Sequence, residues 1–145
     1  MSDQFKHAGV LAPEQEAVRA KCFHPSGMFV EFKKEGIEGS IQQRFEKIVR
    51  QYSGRIAVKD KHHEVTYDAL NRAANRLAHA IIARREKDQK PLALFIEQGV
   101  SLIVANLAVL KAGKIVLRLD PSAPQARTAH LLGDSQASLI LSDLK

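Results

Sequence analysis

Leu92-Ala93-Leu94-Phe95-Ile96 and Ile115-Val116-Leu117-Arg118-Leu119 are the two stretches that decide the fold class. The first is a continuous apolar run, the mark of a strand buried on both faces. Between the two, residues 101–112 read as a helix apolar nearly all round, stopped by Gly113 in the position that favours a left-handed turn. Beyond the second stretch, a helix is expected from Pro124 to Leu132, ended by Gly133. Ser138-Leu139-Ile140-Leu141-Ser142 then makes a third strand. Strand–helix–strand–helix–strand with short joints requires parallel strands joined by right-handed crossovers. The fold class is α/β.

Upstream of this unit the pattern changes period. Ser40 and Gln43 form an S-x-x-Q capping box, in which each side chain satisfies an otherwise unpaired backbone N–H. Ile41, Phe45, Ile48, Val49 and Tyr52 follow at the spacing of one buried helical face. Arg55-Ile56-Ala57-Val58-Lys59 and His63-Glu64-Val65 flank the polar turn Asp60-Lys61-His62, which predicts a β-hairpin. Thr66 caps a second helix whose stripe is Leu70, Ala73, Ala74, Leu77, Ala78, Ile81 and Ile82. That helix ends before Pro91, because the residue preceding a proline is pushed out of helical geometry. The expected architecture is an N-terminal helix and β-hairpin followed by a three-stranded parallel β-α-β-α-β unit. Residues 1–39 show no sustained period, apart from a short helix start at Pro13 and an alternating stretch at 28–32. They read as a leader or linker that packs on residues 40–145 or on a neighbour.

Charge and composition exclude several classes. The net charge is +6, but the excess lies in residues 41–90, mostly on the polar faces of the two amphipathic helices. Arg44, Lys47 and Arg50 stand on one, and Arg72, Arg76, Arg84, Arg85 and Lys87 on the other. No aromatic residue interleaves with them as a base-stacking surface would require, so nucleic acid is not the expected partner. A solvated face is the plain reading, and a docking face for an acidic protein is the alternative. The single cysteine, Cys22, excludes an intrachain disulfide and a cysteine-built zinc site. The first ten residues lack the apolar core of a signal peptide, and no apolar run reaches the ~20 residues of a membrane span. A cytoplasmic location is expected.

Open parallel sheets bind ligands beyond the carboxyl ends of their strands. The joints there are Glu97-Gln98-Gly99-Val100-Ser101, Asp120-Pro121-Ser122 and Ser142-Asp143. The first has one glycine and no dinucleotide fingerprint. The second holds a carboxylate suited to a metal or a ribose, although Asp-Pro-Ser is also a good turn and helix start. No nucleophile has an evident base, the six histidines form no ligand set, and no G-x-x-x-x-G-K-[ST] loop is present. Read from the residues alone, the chain supplies a scaffold and no catalytic, cofactor-binding or metal-binding residue.

Two segments resemble a known family. Val65-Thr66-Tyr67-Asp68-Ala69-Leu70-Asn71, with Ala74-Asn75-Arg76-Leu77-Ala78, resembles the first core motif of adenylate-forming (AMP-binding) enzymes, L-T-Y-x-E-L-N followed by A-N-R-L-A. Leu110-Lys111-Ala112-Gly113-Lys114 with Leu119-Asp120-Pro121 resembles their second, L-K-A-G-x-x-Y-V-P-L-D-P. Order and spacing are similar to those of nonribosomal peptide synthetase adenylation domains, and Leu11-Ala12-Pro13-Glu14-Gln15 resembles the L-S-P-E-E-Q stretch that precedes them. Ala69 departs from the usual Glu, Val116 from Tyr, Arg118 from Pro and Gly133 from Glu.

The resemblance implies an enzyme that activates an amino or carboxylic acid with ATP and Mg²⁺ and passes the acyl group to a phosphopantetheine carrier. It also implies that the phosphate loop, acid pocket, ribose-binding Asp and catalytic Lys lie downstream of Lys145. Residues 40–145 are then the N-terminal portion of an adenylation domain, stopping before the phosphate loop. As family core-motif positions, Thr66, Tyr67, Leu70, Leu110, Lys111, Ala112, Gly113, Leu119, Asp120 and Pro121 have structural roles. The chain alone is expected to be inactive and to need no cofactor of its own. Its implied partners are the remainder of the adenylation domain or neighbouring synthetase modules, with self-association through an unfinished sheet edge. The alternative is a small α/β protein-interaction module derived from that scaffold.

Overall fold

The computed structural model describes residues 12–15, 34, 37–61, 63–84 and 90–143. The chain divides into two compact units, Met1–Glu38 and Gly39–Lys145. In the first, residues 13–15 form a helical turn in which the Gln15 N–H donates to the Ala12 carbonyl at 2.8 Å. The alternating stretch at 28–32 and Cys22 lie outside the described residues.

The second unit opens with α1 (Ile41–Tyr52). Both halves of the Ser40/Gln43 capping box are formed: Ser40 Oγ accepts from the Gln43 N–H at 3.3 Å and Gln43 Oε1 from the Ser40 N–H at 3.2 Å. The apolar stripe is engaged only from Phe45 onward. Val49 is buried and Phe45 packs into the interior, while Ile41 is 66% exposed. The hairpin follows as β1 (Ile56–Lys59) and β2 (Glu64–Thr66), paired antiparallel with an irregularity between Ile56 and Val58. Thr66 ends β2 and caps α2 (Tyr67–Ala83), its Oγ1 accepting from the Ala69 N–H at 3.2 Å. The reciprocal bond that a Glu at position 69 would supply is not available from Ala69.

The sheet comprises β3 (Leu92–Phe95), β4 (Val116–Leu119) and β5 (Leu139–Ser142), all parallel, in the order β4-β3-β5. The central place of β3 explains its unbroken apolar sequence: Leu92, Ala93 and Leu94 are each at most 1% exposed. Arg118, a cation in an apolar run, is accommodated because β4 is an outer strand and the side chain is exposed.

Helix α3 (Val100–Lys111) joins β3 to β4 and is covered from two sides. Leu102, Ala105, Ala108 and Val109 pack with Leu92 and Leu94 of β3, with Ile96 just beyond it, and with Ala78 and Ile81 of α2. Leu107 joins Leu70 and Ala74 in a second cluster, backed by Phe45, Ala57, Val58 and Val65. A helix sandwiched in this way has to be apolar nearly all round. Ile82, at the end of the α2 stripe, is 54% exposed.

Helix α4 (Gln125–Ser135) crosses from β4 to β5 and buries no residue fully. It differs from the expected helix at its end. Gly133 does not stop it, and the chain continues helically to Ser135 before Gln136 turns left-handed at φ 50°, ψ 38°. A single glycine inside a helix costs about 1 kcal/mol, which is too little to break it when the flanking turns are helical.

Candidate functional site

The second motif is divided between the two ends of the sheet. Because β3 and β4 are parallel and α3 joins them, α3 begins at the carboxyl ends of the strands and finishes at their amino ends. Its twelve residues span roughly 18 Å. Leu110, Lys111, Ala112 and Gly113 therefore sit at one rim, and Leu119, Asp120 and Pro121 at the other.

At the amino rim the helix ends in a Schellman arrangement. The Gly113 N–H donates to the Leu110 carbonyl at 3.0 Å and the Lys114 N–H to the Val109 carbonyl at 3.1 Å. Gly113 stands at φ +69°. Ala112 is the C-cap, its N–H donating to the Ala108 carbonyl at 2.9 Å. Lys111 turns back onto α1, where its side chain is only 6% exposed, pairs with Glu46 and lies 5.9 Å from the centre of the Phe45 ring. The first motif converges on the same helix: the Tyr67 ring lies 6.2 Å from Phe45, and Leu70 is 2% exposed in the second cluster. Tyr67, Leu70 and Lys111 thus meet around Phe45 of α1, Thr66 caps α2, and none of the four is among the residues lining the carboxyl-rim cavity.

The carboxyl rim carries a cavity of about 330 Å³ lined by Ile96, Gln98, Arg118, Leu119, Asp120 and Pro121. Leu119 forms its buried side, and Asp120 marks the strand exit. Asp120 accepts from the Ser122 hydroxyl at 2.8 Å and the Ser122 N–H at 2.9 Å. These two bonds hold its carboxyl below the ordinary value against the opposing effect of desolvation, and the positive charges of Arg118 and Arg127 add lesser contributions in the same direction. Two further carboxylates complete the rim. Asp143 accepts from the Glu97 N–H at 3.3 Å, and Asp60, from the hairpin turn, accepts from the Val100 N–H at the start of α3, also at 3.3 Å. The sequence places both aspartates in polar joints, but nothing local in it shows which distant amide each one meets.

Part of the anion-attracting backbone at this rim is already used by the chain itself. The first free N–H of α3, the usual attraction for phosphate in a parallel α/β sheet, is engaged by a carboxylate of the chain itself. Helix α4 starts after its N-cap Pro124, and the Asp120 carboxylate stands at the strand exit that leads to it. Among the described residues, no group of three or more His, Cys, Asp or Glu is placed to hold a metal ion. No helix among them is long and apolar enough to cross a membrane.

Residues 45–145 match the sequence pattern of a family described as AMP-binding enzyme. A linear gramicidin synthase of Brevibacillus parabrevis is 40% identical over 101 residues, 70% of this chain and 1% of that protein. Phosphinothricin tripeptide synthetase PhsC of Streptomyces viridochromogenes is 38% identical over 96 residues, 66% of this chain and 9% of its own length. Among solved structures, the NpsA N-terminal subdomain of Klebsiella oxytoca in complex with anthranilyl-AMSN has the same fold, with a TM-score of 0.67 at 21% identity. That similarity covers 72% of this chain and 27% of the subdomain. The nonribosomal peptide synthetase FmoA3 in its AMPPNP-bound form aligns at a TM-score of 0.66 and 29% identity, over 70% of this chain and 11% of FmoA3. The chain spans less than a tenth of the length of these curated relatives.

Proposed function

The chain belongs to the AMP-binding enzyme family, and from that membership we propose that residues 40–145 form the first part of the larger subdomain of a nonribosomal-peptide-type adenylation domain, behind a leader of residues 1–39. The observation that carries this reading is the family match over residues 45–145, within which both motifs occur in order on β2–α2 and α3–β4. The role of the segment is scaffolding. Thr66, Tyr67, Leu70 and Lys111 hold the α1–α2–α3 layer, while Leu119, Asp120 and Pro121 shape a strand exit. The whole enzyme would use ATP and Mg²⁺ to activate an amino or carboxylic acid and would pass it to a phosphopantetheine carrier. Its partners would be the rest of the adenylation domain and neighbouring synthetase modules. None of that chemistry is assigned to these 145 residues, which contain no glycine-rich phosphate loop.

Acid-dependent ATP–pyrophosphate exchange tests both halves of the proposal. The 145-residue chain alone is expected to give no exchange. A chimera in which residues 45–145 replace the matching segment of a relative's adenylation domain is expected to exchange with that relative's own acid. Robust exchange by the chain alone would overturn the scaffold assignment. A folded chimera without exchange would overturn the adenylation reading.

A further inference from the structure

We propose that Asp60 is a latch that joins the β1–β2 hairpin to the start of α3, so that these two elements open and close as one unit. The inference needs only the fold and goes beyond the adenylation reading. Three observations converge on it. First, the N-cap residue of α3 is Gly99, which has no side chain to cap the first turn, and the helix shows no side-chain cap bond from that position. The Val100 N–H instead donates to Asp60, 40 residues earlier in the chain. Second, the Asp60 carboxylate is committed on both oxygens. Oδ2 meets α3, while Oδ1 accepts from the His63 N–H at 2.7 Å and lies 3.3 Å from His63 Nδ1. The same carboxylate therefore shapes the hairpin turn and caps the helix. Third, the Asp60 side chain is only 27% exposed, although it sits at the tip of a two-stranded hairpin whose neighbours Lys61 and His63 are exposed.

A two-stranded hairpin is marginal without support. The strands of this one are supported by Ala57, Val58 and Val65, which pack against the Leu70 cluster. At its tip, the tie is Asp60. A negative charge at a helix N-terminus is favourable, so the attraction that caps α3 also pulls the hairpin tip onto the rim.

A designed rescue separates a latch from an ordinary cap. Gly99 has extended backbone (φ 166°), which any residue adopts, and a Cβ there would stand 3.5 Å from Asp60 Oδ2, an ordinary contact. Gly99→Ser thus offers α3 a local cap without any link to the hairpin. Hydrogen exchange on the full 145-residue chain reads the result. In Asp60→Ala, the β1–β2 ladder amides and the Ile103 amide, which bonds to the Gly99 carbonyl, are expected to exchange about tenfold faster together. The Leu92 amide, bonded to the Ile115 carbonyl in the sheet, is expected to be unchanged. In the double variant Asp60→Ala/Gly99→Ser, Ile103 recovers while the hairpin stays fast.

Hairpin amides that do not change in Asp60→Ala, or that recover in the double variant, would overturn the latch. If Asp60→Ala does not fold, the double variant is read alone: a protected Ile103 beside a fast hairpin supports the proposal, and protection of both overturns it. A double variant that also fails to fold overturns it too, because a supplied cap would then not replace the one removed.

Discussion

Gly113 and Gln136 end α3 and α4 in the same left-handed turn with different side chains, at φ 69° and φ 50°. A Cβ at Gly113 would meet nothing within 4 Å, so the cost of Gly113→Ala is purely that of backbone strain, about 1–2 kcal/mol. At position 136 the sign reverses, and Gln136→Gly is expected to stabilise by about 0.5–1 kcal/mol. Urea midpoints at constant slope check both; equal effects of the same sign would contradict the assignment. Asp120 gives a second prediction at this scale. Its carboxyl is held low first by the Ser122 hydroxyl and then by the Ser122 N–H. A depressed folded value means the contribution is present above the unfolded value and is lost as pH falls through the folded one. Ser122→Ala is therefore expected to raise the Asp120 midpoint in an NMR titration and to move its loss of stabilisation to higher pH. An unmoved midpoint would place the cause elsewhere.

Among the elements, α1 shows how a motif residue can serve packing. Lys111 brings a cation 6% exposed against a Glu46 that is 42% exposed. The two ends of this pair are not equivalent. Glu46→Gln strands a nearly buried ammonium and is expected to destabilise by about 1–2 kcal/mol. Lys111→Met leaves a half-exposed carboxylate that water can still serve, keeps an unbranched apolar side chain at a nearly buried position, and is expected to cost under ~1 kcal/mol. Equilibrium denaturation of the two variants decides it, and the reverse order would refute this account. The helices are the most legible part of the sequence, because caps and apolar spacing are local. The departures from expectation are also local. Ile41 fits the α1 stripe but is largely exposed, one turn before the packed Phe45, and Gly133 has the composition of a stop without the backbone of one.

For the whole molecule, the sheet order β4-β3-β5 is not written in the pattern, although the β-α-β-α-β succession of elements is. Periodicity says that β3 is buried on both faces; it does not say which strands flank it. Nor does it show that Asp60 meets Val100 or that Asp143 meets Glu97, since each contact joins polar joints far apart in the chain. Arg118 is anomalous in an apolar run and ordinary on an outer strand, and only the order of the sheet distinguishes the two. The opposite outer strand, β5, has no charge or proline along Leu139-Ile140-Leu141-Ser142 to discourage pairing, and Ile140 is 50% exposed. Such an edge invites association. The isolated chain is expected to self-associate as its concentration rises, and Ile140→Lys to reduce this; sedimentation velocity that shows a monomer throughout would refute it. The same order has a meaning for synthesis. Once Leu119 has emerged from the ribosome, β3 and β4 can pair, but the other side of β3 waits for Ser142. At about 5–20 residues per second that wait lasts on the order of seconds. A growing chain thus holds its most apolar strand half-dressed while α4, which buries nothing fully, is being made. Nascent copies on one message are therefore most vulnerable to one another in that interval.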